Sequence, residues 1–197
     1  MLCCQFQEIW LELAVPGLHD GSMALCKIVR MGHPALRAVA KAVVDPTAPE
    51  IAALVTDMLG AMRAAEGVGL AAPQISVSKR VVIFEVPSAR VTDPEPPVGL
   101  TVLINPVLEP VGEAMETGLE SCLSLPGMAG MVPRFLRLRY RGVTLEGDII
   151  QREVSGFHAR VVQHEVDHLD GILYPMRMRN LSTFGYVDEM EKTLPEI

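Results

Sequence analysis

The run Ser-Gly-Phe-His-Ala-Arg-Val-Val-Gln-His-Glu-Val-Asp-His-Leu-Asp, residues 155–170, decides how the chain is read. Ser155 suits an N-cap, and the spacing predicts a helix from Gly156 to Leu169. Phe157, Val161, Val162, Val166 and Leu169 recur at helical intervals and form its apolar stripe. His164 and His168 stand one turn apart and leave the helix from one face. Two imidazoles so placed can hold one metal ion, with Glu165 beside it as a general base. The competing reading is a pair of hydrogen-bonded helix histidines with an exposed glutamate. His158 lies six residues before His164, a poor facing distance, and reads as structural.

Upstream of this helix the pattern changes to strands. Ile149 to Val154 is one. Arg134 to Leu145 alternates, with Leu136, Leu138 and Tyr140 on one side and Arg137, Arg139 and Arg141 on the other. That is a half-buried antiparallel strand, and its arginine row reads as a solvated face. Thr101 to Asn105 and Val107 to Val111 read as two strands split by Pro106, and Arg80 to Val86 as a buried one. Pro87 to Pro97 is an acidic, Pro-rich loop. Thr47-Ala-Pro-Glu50 has the form of a capping box, followed by apolar residues at helical spacing from Ile51 to Met62, with Gly67 and Gly69 as the stop. Residues 172–197 read as irregular, with a short helix after Val187. One helix, several strands, then a second helix give an α+β fold, with antiparallel strands around a central metal-binding helix.

A catalytic site of this kind needs a third protein ligand and an open position. Position 174, where one protease pattern has a histidine, is Tyr174. Glu189 or Glu191 would lie on a poor helix. Cys122, in Glu-Ser-Cys-Leu-Ser-Leu-Pro (120–126), is the remaining candidate, although a lone cysteine is most often a small buried apolar residue. A third segment, Gly-Val-Gly-Leu-Ala-Ala-Pro-Gln (67–74), has two glycines that permit close approach of a ligand. It lacks the lysine of a phosphate loop, and Ala72 stands where a dinucleotide turn has glycine.

Composition narrows the partners. The 197 residues carry 17 Lys and Arg against 24 Asp and Glu, a net charge of −7, so nothing draws the chain to nucleic acid or anionic lipid. No apolar run approaches the roughly 18 residues of a membrane helix. Four cysteines give no disulfide framework. Residues 1–22 lack the positive start of a signal peptide, and read as an extension ahead of a single domain, 23–197; a short amphipathic helix bearing Ile9 and Leu13 is the alternative. These features point to the cytoplasm, where cysteines more often serve metals or catalysis.

Taken together, GVGLAAPQ (67–74), ESCLSLP (120–126) and QHEVDHLDG (163–171) resemble peptide deformylase in order and spacing, with support from IVRMGHPALR (28–37). The resemblance spans about residues 25–180. It implies a metal-dependent hydrolase that removes the formyl group from the N-terminal methionine of newly synthesised proteins and releases formate. It implies Cys122, His164 and His168 as metal ligands and Glu165 as base and then acid. Gln74 and the Leu123 N–H would stabilise the oxyanion. Gly67, Val68, Gly69 and Leu70 would bind the peptide as an added strand. The metal would be Fe2+, with Zn2+, Ni2+ or Co2+ as substitutes. The partners would be N-formylmethionyl nascent peptides and, transiently, the ribosome, with the chain a monomer or homodimer. The family has glycine at Ser121, so a narrowed formyl site, an altered substrate choice or a weakened activity is the expected consequence. The other readings are a catalytically impaired peptide-binding relative and a different His-Glu-x-x-His metallopeptidase, which leaves Cys122 without a role.

Overall fold

The computed structural model describes residues 26–90 and 96–192; the expectations for residues 1–22 lie outside them. Five strands form one antiparallel sheet: β1 (Gly69–Ala71), β2 (Val81–Val86), β3 (Val98–Pro110), and then β6 (Arg137–Val143) and β7 (Ile149–Ser155), in the order β1-β2-β3-β6-β7. A second sheet has the order β4-β5-β8, from β4 (Met115–Cys122), β5 (Leu125–Phe135) and β8 (Phe184–Tyr186). Among the described residues three α-helices complete the fold: α1 (Pro49–Ala64), α2 (Gly156–Leu169) and α3 (Val187–Met190). No helix among the described residues is long and apolar enough to cross a membrane.

Strand β2 shows why the large sheet is covered on both faces. Its run Val81 to Phe84 is fully buried. Val81 and Ile83 pack against Ile51, Val55, Met58 and Met62 of α1. Val82 and Phe84 join Val161, Val162, Val166 and Leu169 of α2 on the other face. Alternate side chains leave a strand on opposite sides, so an uninterrupted apolar run requires an apolar layer on each. The stripe predicted for α2 is the one it buries. The opposite side of α2 faces the small sheet, where a third cluster holds Leu36, Cys122, Leu125, Val132, Leu173 and Tyr174. The α+β expectation, with a helix between antiparallel sheets, is met.

Several local expectations are corrected. Thr47 is not a cap: Asp45 accepts hydrogen bonds from its N–H and hydroxyl, at 2.9 and 2.7 Å, and α1 starts at Pro49. Helix α1 is stopped by Glu66, in the left-handed region at φ 54°, before either glycine. Pro106 does not split β3; it sits at a bulge between Ile104 and Val107, beside Asn105 at φ 51°. The alternating strand begins at Arg137, and Arg134 belongs to β5. Strands β4, β5 and β8 answer to no strand in the sequence reading.

Candidate metal centre

Three segments distant in sequence meet at the buried end of β4. The segment before the first 3-10 turn joins two of them: Val29 N–H donates to the Gln74 carbonyl and Met31 N–H to the Ser124 carbonyl, each at 2.8 Å. The third is α2. Cys122 closes β4, and its Sγ lies 3.3 Å from His168 Nε2. Donor atoms of Cys122, His164 and His168 all fall within 4.8 Å of one another, and this is the only such His/Cys/Asp/Glu group among the described residues. The two rings meet edge to face, 5.1 Å between centroids, rather than stacking. Tyr174 lies nearly parallel to the His164 ring at 6.1 Å.

The sulfur is surrounded by donors. Ser124 N–H points at it from 3.4 Å and Gln74 Nε2 from 3.6 Å. Gln74 cannot flip its amide, because Oε1 accepts from Ala71 N–H at 2.8 Å while Nε2 also donates to Ser124 Oγ. Its NH2 is therefore aimed into the centre. Glu165 is 5% exposed, and its Oε2 has no hydrogen-bond partner. Burial raises Glu165 to about 7, against the pull of His164.

The two histidines are held differently. His164 Nδ1 lies 2.9 Å from Glu120 Oε2, which leaves Nε2 for the centre. A carboxylate on the far nitrogen fixes the ring and raises its basicity as a ligand. Burial opposes charge on His164, but Cys122 and Glu120 prevail and raise its pKa well above the ordinary value. His168 is pushed well below that value by burial and by His164 beside it. His168 Nδ1 is buried with no partner.

Glu120, Arg134 and Asp167 carry no role in the sequence reading. Arg134 donates to both oxygens of Glu120 at 2.9 Å and to Asp167 Oδ2 at 2.5 Å. Burial works to raise Glu120, but bonds from Arg134 and His164 hold it down at about 2. The signal was present: Arg134 is a cation inside the apolar run Met-Val-Pro-Arg-Phe (131–135), and a buried cation needs a partner.

The glycine segment sits against the same centre. A Cβ on Gly69 would collide with the Glu165 carboxylate, and one on Gly67 would lie 2.7 Å from Leu123 Cδ1. Close approach, rather than a helix stop, explains both glycines. Val68 accepts from Glu85 N–H at 2.8 Å, and the Leu70 side chain is in the core. Strand β1 pairs with β2 alone among the described residues, so it is an edge strand of the large sheet. Glu189 is exposed and paired with Lys192 at 2.9 Å, away from the centre. Ser121 is exposed, between buried Glu120 and buried Cys122. Val161 and Val162, of the stripe predicted for α2, are core residues under the large sheet.

The family model for polypeptide deformylase matches residues 25–184. Peptide deformylase 1 of Nitrosomonas europaea is 56% identical over 164 residues, which cover 83% of this chain and 93% of that protein. Peptide deformylase 2 of Ralstonia nicotianae is 51% identical, over 85% of this chain and 95% of its own length. Among solved structures, the Met-Ala-Ser-bound class I type b peptide deformylase of Acinetobacter baumannii superposes with a TM-score of 0.72 at 35% identity, covering 78% of this chain and 98% of that one. The peptide deformylase of Ehrlichia chaffeensis gives a TM-score of 0.75 at 29% identity, over 81% and 91% of the two chains. With the same three motifs folded to one point and relatives matched along nearly their whole length, the chain belongs to the polypeptide deformylase family.

Proposed function

We propose that this chain acts as a metal-dependent hydrolase that removes the formyl group from the N-terminal methionine of newly made proteins and releases formate, with the residue roles set out below. The observation that carries those roles is the convergence of a thiol, two imidazoles and an unpartnered buried carboxylate beside the edge strand β1. Cys122, His164 and His168 would hold the divalent ion, Fe2+ in the native protein and Zn2+, Ni2+ or Co2+ as substitutes. The donor set fits: soft sulfur and imidazole nitrogen suit iron and zinc, and three protein ligands leave a position open. When bound, such an ion polarises a carbonyl and lowers the pKa of water from 15.7 toward about 7.

The chain's own groups do the rest. The peptide lies along Gly67, Val68, Gly69 and Leu70 as an added strand, its formyl end directed at the centre. Glu165 takes a proton from the attacking water at the free Oε2 and gives it to the leaving amine. A carboxyl raised to about 7 can do both near neutral pH. Gln74 Nε2 and the Leu123 N–H donate to the formyl oxygen as charge develops there; losing one such donor costs about 10²–10³ in rate. An internally cleaving peptidase would leave Cys122 idle, and Cys122 is at the centre of the cluster. The substrate reading draws on the Met-Ala-Ser peptide bound to the Acinetobacter baumannii relative. Residues 23–197 act as one domain, with 1–22 an extension. The setting is the cytoplasm, with transient contact to the ribosome where formylated chains emerge.

Formate release from N-formyl-Met-Ala-Ser tests this, with protein loaded anaerobically with Fe2+. Glu165→Gln abolishes release and leaves bound metal unchanged. A folded, loaded parent that releases no formate overturns the reading.

A further inference from the structure

Arg160 lies outside the ligand set, one turn before His164 on α2, and its side chain is 10% exposed. It reaches across to the β4–β5 hairpin. Nη1 donates to the Val132 carbonyl at 2.8 Å and to Glu120 Oε1 at 2.9 Å, with the Gly118 carbonyl at 3.5 Å. Nη2 donates to the Glu116 carbonyl at 2.9 Å. One side chain therefore holds the backbone of β4, the backbone of β5 and the carboxylate whose other oxygen faces His164. A planar guanidinium can serve such divergent acceptors at once, and an ammonium cannot.

The approach depends on residue 118. A Cβ there would lie 2.8 Å from Nη2, 2.9 Å from Cζ and 3.2 Å from Nε of Arg160. Gly118 is not among the glycines with positive φ, so its backbone does not demand glycine; the space does. Gly118 and Cys122 are four residues apart on β4, and Arg160 and His164 are four apart on α2. The clamp thus sits one helical turn behind His164 and four strand residues behind Cys122, two ligands that come from different elements.

We propose that Arg160 is a positioning residue for the metal centre. It sets the distance between the Cys122 sulfur and the two α2 imidazoles by locking β4 to the helix, and Gly118 is the space it requires. The inference rests on Cys122, His164 and His168 being the ligands.

Cobalt binding to the full chain tests it. The thiolate-to-cobalt charge-transfer band reports the ligands, and a competing chelator reports the affinity. Arg160→Met and Gly118→Ala are each expected to raise the apparent Kd for Co2+ about 10–100-fold, in the range seen when groups behind a metal ligand are removed. Gly118→Ala keeps every charged group and so covers the case in which Arg160→Met does not fold. Gly118→Ala added to Arg160→Met is expected to cost little more, because the methyl then meets only the flexible end of a methionine in place of the fixed guanidinium. A role in folding alone lowers the thermal midpoint while leaving band and affinity as in the parent, and overturns the proposal. Additive losses in the double variant overturn the Gly118 part. A parent without the thiolate band refutes the ligand assignment instead, which separates the two failures.

Discussion

Glu165 and Gly69 share one space at the residue scale. The carboxylate lies where a Cβ of residue 69 would be, so the glycine in β1 and the base on α2 constrain each other. Gly69→Ala must move the carboxylate or the strand, and a misplacement of about 1 Å costs on the order of 10² in rate. The expected outcome is a loss of about 10²-fold in kcat/KM for a formylated tripeptide, with metal content unchanged, as checked by metal analysis of the same sample. This contact was half legible. Two glycines signalled a close approach, but no sequence pattern says that the approaching atom belongs to a residue 96 positions later. The amide of Gln74 is similar: its direction follows from Ala71 and Ser124 and has no local signature.

At the scale of elements, legibility follows the range of the forces that form them. Helix α2 was readable to the residue because its stripe and its polar side each repeat at the helical period. Strand β2 was readable because both faces are apolar. The β4–β5 hairpin was not. Its sequence is rich in Gly and Pro, and its inward groups are Glu120 and Arg134, whose burial is stable only once α2 supplies Asp167 and His164. The capping box failed for a local reason, since Asp45 outcompetes the helix for Thr47. Removing one partner of a buried ion group leaves the others uncompensated, at a cost of about 3–5 kcal/mol. Arg134→Met is therefore expected to lose that much in denaturant unfolding, far more than Arg137→Met, whose pairing with Glu153 is exposed and screened by solvent.

The whole molecule is layered: α1, the large sheet, α2, and the small sheet. His158 lies inside, its ring centroid 5.6 Å from Phe84 and 5.7 Å from Tyr140. Burial pushes it down from 6.5 to about 4, with Arg152 adding to the effect. The unfolded chain takes up a proton as pH falls through 6.5, and the folded chain does so only near 4. Between those values the unfolded state binds more protons, so stability falls as pH is lowered. Thermal midpoints measured from pH 7 to 4 should decline less steeply in His158→Phe than in the parent. The layering also dictates an order of events during synthesis. Cys122 enters the growing chain 46 residues before His168. At roughly 5–20 residues per second, that interval lasts about 2–9 s. Throughout it the sulfur lacks the helix that leaves it 8% exposed in the finished fold. An oxidant present at that moment meets an unshielded thiol, so the vulnerable form of this protein is the newborn one.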